Sequence, residues 1–165
     1  MFRKILYPTD FSKPARVALQ YVNKLREAGA EEVVLLHVYD ERNIDLYWEI
    51  EASYKEKPPE RVKHDIIKRM LEKSYTKLEE IEEGLKEVGL KTQLVVIEGI
   101  PWKGIVKVAE DLDVSLIVMG SHGERGFLEK LIGSTTERVL RESNVPVLVV
   151  RPQKGQGGGG DEGGN

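Results

Sequence analysis

The residues best suited to chemistry lie between Met119 and Glu137, where glycines are interspersed with serine and threonine hydroxyls. An apolar run of strand length, 114–119, precedes this stretch, and a helical pattern follows from Ser134. The order is therefore strand, glycine loop, helix. Amides in such a loop and at a helix start lack internal partners and lie at the positive end of the helix dipole. Together with the hydroxyls they predict a site for an anion, above all a phosphate.

Two glycines and one short motif carry this prediction. Gly120 and Gly123 permit backbone angles and close approaches that a Cβ would prevent. The segment from Ser134 to Glu137 has the pattern S-x-x-E, which predicts a capping box that opens the helix. Simpler interpretations remain open, because the glycines could serve only to turn the chain and the capping box only to stabilise a helix end. A cap and a phosphate use the same few donors, so both interpretations can hold at one helix.

A second candidate, Asp10, lies near the amino terminus. The apolar segment 5–7 predicts a short strand that Pro8 and Thr9 close, and Ser12 is a good N-cap for the helix that follows. Asp10 would then lie at the carboxyl end of the first strand. A turn or capping role and a ligand role are equally compatible with this sequence context.

Composition is typical of an ordinary globular protein. A chain of 165 residues with 40% hydrophobic and 32% charged residues predicts one domain with a real core. We assign this domain to 1–152 and a disordered tail to 153–165, which contains seven glycines. The net charge of −3 argues against nucleic-acid binding, and the lack of cysteine excludes disulfides. No apolar run approaches the length of a membrane span and no signal peptide is evident, so we expect a cytoplasmic protein.

Motifs for metal binding and catalysis are weak. The three histidines are isolated from one another, which does not indicate a protein-built metal site, and His37 is interpreted as a satisfied core residue. Gly99 to Gly104 has the first half of a P-loop spacing, but Ile105 and Val106 stand where lysine and serine or threonine are needed. With no P-loop lysine and no obvious base, the sequence predicts no catalytic residue.

Predicted strands and helices alternate along the chain, which favours an α/β fold with a parallel sheet and helices on both faces. A long amphipathic helix is expected from Glu60 to Val88. The irregular segment 40–60 could form a short helix or a lid over the site. Tyr47 and Trp48 could stack on a ligand ring there, although covering the core edge or a partner subunit is the favoured interpretation.

Several motifs resemble those of the universal stress protein family, in its ATP-binding branch. The family's nucleotide-binding signature is similar to the spacing Gly120-x2-Gly123-x9-Gly133-Ser134. Segments similar to other parts of the family follow in the expected order at 4–12, 33–38, 99–101 and 144–150. The resemblance covers roughly residues 2–151.

This resemblance implies a single-domain, open five-stranded parallel sheet of order 3-2-1-4-5, Rossmann-like and of the adenine nucleotide alpha-hydrolase type. In that order the direction in which successive strands are added to the sheet reverses between strands 1 and 4. Ligands of open α/β sheets bind at such a point. Asp10 and Gly120 would end these two strands. Their convergence on one crevice shifts our interpretation of Asp10 towards a ligand role.

The resemblance also implies ATP as the ligand, with Mg²⁺ or Mn²⁺ held chiefly by phosphates and water. The residues that would contact the adenosine are Pro8, Thr9 and Asp10 on its flanks, Val38 at the adenine through its backbone, and Met119 and Gly120 at the ribose. The residues that would hold the phosphates are His122, Gly123, Gly133, Ser134, Thr135 and Thr136. Arg125 is a further candidate for neutralising phosphate charge, although a solvated loop arginine is the favoured interpretation.

The function expected from this resemblance is an ATP-dependent regulatory switch in the stress response, acting with an unidentified protein partner. Two alternatives remain open: a slow or partner-dependent ATPase or alpha-hydrolase-type enzyme, and a nucleotide-free dimeric scaffold. Strand 5, Val147–Val150, would be an uncharged apolar edge. We therefore predict a homodimer in which this strand pairs antiparallel across a two-fold axis, as the resemblance also implies.

Overall fold

The computed structural model describes residues 1–40, 42, 60–122 and 132–153. Its strands and helices are β1 (Lys4–Pro8), α1 (Lys13–Leu25), β2 (Glu32–Tyr39), α2 (Glu60–Glu87), β3 (Lys91–Glu98), α3 (Pro101–Asp111), β4 (Leu116–Gly120), α4 (Ser134–Glu142) and β5 (Val147–Val150). Three sets of expectations lie outside the described residues: the lid with Tyr47 and Trp48, the roles of Gly123 and Arg125, and the tail from 154 onward.

The five strands form one sheet in the order β3-β2-β1-β4-β5, and every neighbouring pair in it is parallel. This confirms the predicted class and strand order. Residues 5–8 of β1 and 33–36 of β2 are all buried. Strands of a parallel sheet that is covered on both faces need such continuous apolar runs, because both sets of side chains point into a core.

Helices cover both faces of the sheet, as predicted. On one face, α1 and α2 pack against the sheet in a core that includes Tyr7, Val22 and Leu78. On the other face, α3 and α4 pack in a core that includes Leu6 and Val139. The two cores alternate along β1, because successive strand side chains point to opposite faces.

The predicted helix boundaries of α1 and α2 follow from their caps. Ser12 caps α1, since its buried Oγ accepts a hydrogen bond of 3.4 Å from the amide of Ala15. Gly29 and Gly89 follow the last turns of α1 and α2 with φ of +97° and +83°. In both cases the residue after the glycine donates a 3.0 Å bond to a carbonyl of the last helical turn. These closures need a residue that adopts positive φ without strain, which explains the two glycines.

The long helix α2 spans 28 residues and is amphipathic, as predicted. Leu78 and Leu85 are buried against the sheet, whereas Gly84 lies on the exposed side. No helix among the described residues combines the length and the apolar character that a membrane span requires.

Candidate functional site

The carboxyl ends of β1 and β4 lie side by side at one edge of the sheet, because the two strands are parallel neighbours. From β1 the sheet extends through β2 to β3 in one direction and through β4 to β5 in the other. Residues 9–12 leave β1 at this edge, 120–122 leave β4, and 133–136 begin α4. We call the place where these three segments meet the switch-point crevice.

The turn after β1 is held by its own side chains. The Oδ1 atom of Asp10 accepts a 3.0 Å hydrogen bond from the amide of Ser12. The Oγ1 atom of Thr9 accepts one of 3.0 Å from the amide of Phe11, and the Thr9 amide donates to Leu36 O at 2.8 Å. Asp10 thus has the turn role that its sequence context allowed. Its side chain is also exposed, so the carboxylate is accessible to a ligand.

Gly120, the last residue of β4, lies directly against the start of α1. A Cβ placed on Gly120 would lie 2.8 Å from the carbonyl carbon of Pro14 and 2.9 Å from its oxygen. Both neighbours are backbone atoms, which cannot rotate away. The predicted close approach at Gly120 is therefore confirmed, and it brings the first turn of α1 against the end of β4.

Two hydrogen bonds fasten the amino terminus of α4 to the end of β4. The amide of Gly133 donates to Ser121 O at 2.7 Å, and the hydroxyl of Thr136 donates to Gly120 O at 3.0 Å. The first bond within the helix runs from the Glu137 amide to Gly133 O at 2.9 Å. The amides of residues 134–136 therefore precede the helical ladder, at the positive end of the helix dipole. Amides in this position are the donors on which the sequence-based prediction of an anion site depends.

The predicted capping box is wrong. The N-cap of α4 is Gly133, Ser134 is already the first helical residue, and no side chain caps the helix. The tertiary bond from Gly133 to Ser121 sets this boundary, and a Cβ on Gly133 would lie 3.0 Å from His122 Cα. The Glu137 carboxylate pairs with Arg141 at 2.7 Å instead of bonding the cap. Because Ser134 is exposed and does not cap, its hydroxyl and amide are not committed to that motif.

The remaining predicted residues reach the crevice in different ways. Met119 is buried, and its side chain belongs to the core beneath α3 and α4, so only its main chain can line a ribose. Val38 is half-buried and packs against the same core. Pro8 is buried at the end of β1, and Thr135 is half-exposed. The hydroxyl of Thr136 is buried and bonded to Gly120 O, which leaves only its amide as a candidate phosphate donor.

Burial shifts the pKa of two groups next to the turn. It raises the pKa of Tyr7 to about 12, and the Tyr7 hydroxyl donates a 2.7 Å bond to Ala15 O that ties β1 to α1. Burial also lowers the pKa of His37, whose Nδ1 lies 2.9 Å from Thr9 O. Both groups are held in their neutral forms at neutral pH. Among the residues that the structure describes, no cluster of three or more histidine and carboxylate side chains could hold a metal ion.

Comparison with known families decides the classification of the chain. The universal stress protein family matches residues 1–151. The chain belongs to the universal stress protein family. This confirms the resemblance drawn from the glycine spacing and from the segments 4–12, 33–38, 99–101 and 144–150.

Among curated universal stress proteins, MJ0577 of Methanocaldococcus jannaschii is 43% identical over 155 residues, which is 92% of this chain and 96% of that protein. The solved structure of MJ0577 superposes with a TM-score of 0.78 at 42% identity, covering 93% of this chain and 98% of that one. The shared fold therefore extends over nearly the whole of both proteins.

Two further universal stress proteins have been solved with nucleotides. A family member from Arabidopsis thaliana holds AMP, with 15% identity, a TM-score of 0.61 and 92% of each chain covered. Another was solved in complex with cAMP, with 19% identity, a TM-score of 0.59, and coverage of 91% of this chain and 97% of that one. At these identities the likeness shows the fold that this universal stress protein shares with them.

Sequence reasoning overlooked two residues of the crevice. Ser121 is buried, and its hydroxyl lies 2.8 Å from His122 Nδ1. Because His122 was already a predicted site residue, its neighbour Ser121 could have been considered from the sequence. His37 was interpreted as a core residue only, yet its ring reaches the turn after β1. The two partners are 28 positions apart, and no spacing in this universal stress protein sequence reveals that contact.

Proposed function

We propose that this universal stress protein binds ATP in the switch-point crevice and acts as a cytoplasmic, nucleotide-dependent regulatory switch in the stress response. The observation that carries the proposal is the attachment of the amino terminus of α4 to the end of β4 by two hydrogen bonds. The bonds from Gly133 to Ser121 and from Thr136 to Gly120 fix three helix-start amides beside the end of β4, the strand next to β1. Preorganised amides of this kind suit a polyphosphate, because they need no rearrangement to receive its charge.

In this proposal the phosphates are bound by the amides of residues 134–136 and by the hydroxyls of Ser134 and Thr135. The amide of Gly133 already donates to Ser121 O, so Gly133 would not donate to a phosphate. Its role is to allow the close approach to His122 that a Cβ would hinder. His122 lies in the same part of the crevice, and Gly123 is proposed as a further phosphate contact from the sequence alone. The Thr136 hydroxyl has the supporting role of holding the helix in place.

The adenosine would lie across the ends of β1 and β2. The exposed Asp10 carboxylate is suited to accept hydrogen bonds from ribose hydroxyls, with Pro8 and Thr9 beside it. The last residue of β2 that pairs with β1 is Leu36, and β2 continues to Tyr39. The main chain at Val38 thus extends past β1, where it could meet the edge of an adenine. Met119 and Gly120 would contact the ribose through their main chain.

The cation would arrive with the nucleotide. Mg²⁺ takes oxygen ligands in octahedral geometry and retains several waters, and in many nucleotide sites phosphate oxygens supply the other ligands. Mn²⁺ accepts a similar oxygen environment. We propose that either ion is held chiefly by the triphosphate and water. The two nucleotide-bound relatives share this fold, but the geometry of the crevice carries the argument for this chain.

Hydrogen exchange with and without Mg·ATP tests the switch. A regulatory switch requires that the ligand favour one conformation of a surface that a partner can recognise. We expect Mg·ATP to change hydrogen exchange in the 40–60 segment or in the glycine loop between β4 and α4. Mass spectrometry of the small molecules released on denaturing the purified protein identifies any nucleotide that it retains. Unchanged exchange in both segments at saturating Mg·ATP would contradict the switch.

A further inference from the structure

Phe11, in the turn after β1, adopts a backbone conformation that a side chain rarely tolerates. Its φ is +64°, in the left-handed region that favours glycine. Such a conformation persists only where the surroundings hold it, and it recurs at ligand sites. Phe11 directly follows Asp10, so whatever holds Phe11 also fixes the carboxylate proposed to meet the ribose.

The contacts around Phe11 come from three other elements. Arg16 of α1 donates from Nη1 to Phe11 O at 3.3 Å. The ring of His37, from β2, lies with its centroid 4.7 Å from that of Phe11. The ammonium of Lys77, from α2, lies over the Phe11 ring, 4.9 Å from its centroid. Two of these three side chains, those of His37 and Lys77, are distant from the turn in sequence.

His37 also contacts the main chain of the turn, at Thr9. The Thr9 amide donates to Leu36 O at 2.8 Å, and Thr9 O lies 2.9 Å from His37 Nδ1. Two consecutive residues of β2 thus bind both polar groups of the Thr9 backbone. Because a carbonyl can only accept, the ring must carry its proton on Nδ1 for this contact to be a hydrogen bond. Burial lowers the pKa of His37, which favours the neutral ring, and the contact with the Thr9 carbonyl then assigns the single N–H of that ring to Nδ1.

We propose that His37 is a positioning residue of the nucleotide site, whose Nδ1–H holds the Thr9 carbonyl and thereby fixes the Asp10 carboxylate for the ribose. This inference deepens the proposed function and rests on it. His37 itself need not touch the nucleotide. Its hydrogen bond preorganises the turn, and preorganisation raises affinity because less order has to be imposed on binding.

Three variants separate the donor from the ring. His37→Asn keeps an amide donor near the place of Nδ1 and loses the ring. His37→Phe keeps an aromatic ring against Phe11 and loses the donor. His37→Ala loses both. Each variant is compared at a temperature at which its circular dichroism melt shows it folded, so that affinity is not confused with stability.

The first readout is the affinity for Mg·ATP by calorimetry. Loss of one positioning hydrogen bond is expected to weaken binding about tenfold in His37→Phe and His37→Ala. The Asn variant is expected to remain within about threefold of wild type. Wild-type affinity in the Phe variant, or equal weakening in the Asn and Phe variants, would overturn the positioning role.

The second readout needs no nucleotide. Imidazole ¹⁵N NMR of the wild-type protein should show the Nδ1–H tautomer of His37, and an Nε2–H tautomer would overturn the inference. Amide exchange of Phe11 and Ser12 should be faster in His37→Phe than in His37→Asn, and equal rates would also overturn it. If wild type fails to bind Mg·ATP, the proposed function is wrong, whereas the hold of His37 on the turn is still decided by these two measurements.

Discussion

At the residue scale, the turn between β1 and α1 shows how one carboxylate serves two purposes. Asp10 Oδ1 accepts a 3.0 Å hydrogen bond from the Ser12 amide, and Thr9 Oγ1 accepts one of 3.0 Å from the Phe11 amide. These bonds satisfy backbone donors that leave the sheet at the end of β1. The Asp10 side chain nevertheless remains exposed. A residue can therefore satisfy the turn and still present charge to a ligand.

Protonation of His37 gives a prediction about pH. Burial, the dominant cause, and the Lys77 ammonium lower its pKa below the usual 6.5, while the Thr9 carbonyl and Asp10 oppose that shift. In the window between the lowered pKa and 6.5, the unfolded chain binds more protons at this residue than the folded protein does. This residue's contribution to the free energy of unfolding should therefore fall as pH falls through that window.

The measurement is urea denaturation of wild type and His37→Asn between about pH 7.5 and about pH 5.5. The difference in unfolding free energy, wild type minus variant, should decrease towards the acid end, because the variant has no titrating group at this position. Carboxylates that do not interact with His37 cancel in this difference, and those of Glu31 and Glu82 have pKa values lowered below 4.5. A difference that stays constant or grows in acid would contradict the account of His37.

At the scale of elements, the helix starts show where sequence patterns succeed and fail. The Ser12 cap of α1 was predictable, because a capping hydroxyl and its amide are three residues apart. The S-x-x-E pattern of α4 failed, because the 2.7 Å bond from Gly133 to Ser121 moves the helix boundary by one residue. That bond joins the two ends of the glycine loop. Local spacing contains no information about such a tertiary contact.

Two helical glycines give a matched pair of stability predictions. Gly84 in α2 has open space around its missing Cβ, so Gly84→Ala should stabilise the protein by about 1 kcal/mol through helix propensity. Gly104 in α3 differs, because a Cβ there would lie 2.9 Å from Val38 Cγ2 and 3.0 Å from Ile97 Cδ1. Gly104→Ala should gain less or destabilise, since the crowding offsets the propensity.

Urea midpoints of the two variants, compared with wild type at constant m-value, check the pair. We expect the midpoint of Gly84→Ala to rise and that of Gly104→Ala to remain below it. Equal rises would mean that α3 does not pack on β2 and β3 as closely as described. A fall for Gly84→Ala would mean that this position requires glycine for a reason outside the described contacts.

At the scale of the whole molecule, the alternation of apolar strands and amphipathic helices was sufficient to predict an α/β sheet covered on both faces. The strand order came from the family resemblance, because alternation alone is compatible with more than one order. Once the order is known, the position of the crevice can be predicted, since β1 and β4 are the neighbours between which the strand order reverses. The contact of His37 with Thr9 could not be predicted, because it depends on how far β2 extends beyond β1.

The edge of the sheet gives a prediction about assembly. β5 is a terminal strand of the sheet, and Val147, Leu148 and Val149 are half-buried. An uncharged apolar edge favours pairing with another strand. We predict a homodimer in which Val147–Val150 pairs antiparallel with its symmetry mate. Val149→Lys should yield monomers, because the two-fold axis brings like charges together, whereas Val149→Ile should leave the dimer intact.

Sedimentation velocity of wild type and both variants at matched concentrations measures this assembly. A Val149→Lys protein that sediments as wild type does would exclude β5 as the interface. Monomeric wild-type protein would exclude the dimer itself.

The most direct test of the central claim is calorimetry of Mg·ATP binding to Ser134→Pro and Ser134→Ala. Ser134 is the first residue of α4, where proline is tolerated, and Gly133 before it has φ −64° and ψ 154°, which suits a residue preceding proline. Proline deletes both the amide N–H and the hydroxyl, whereas alanine deletes only the hydroxyl. If helix-start amides hold the triphosphate, Ser134→Pro should bind at least about tenfold more weakly than Ser134→Ala, because hydrogen bonds to charged groups are strong. Equal affinities of the two folded variants would contradict the claim.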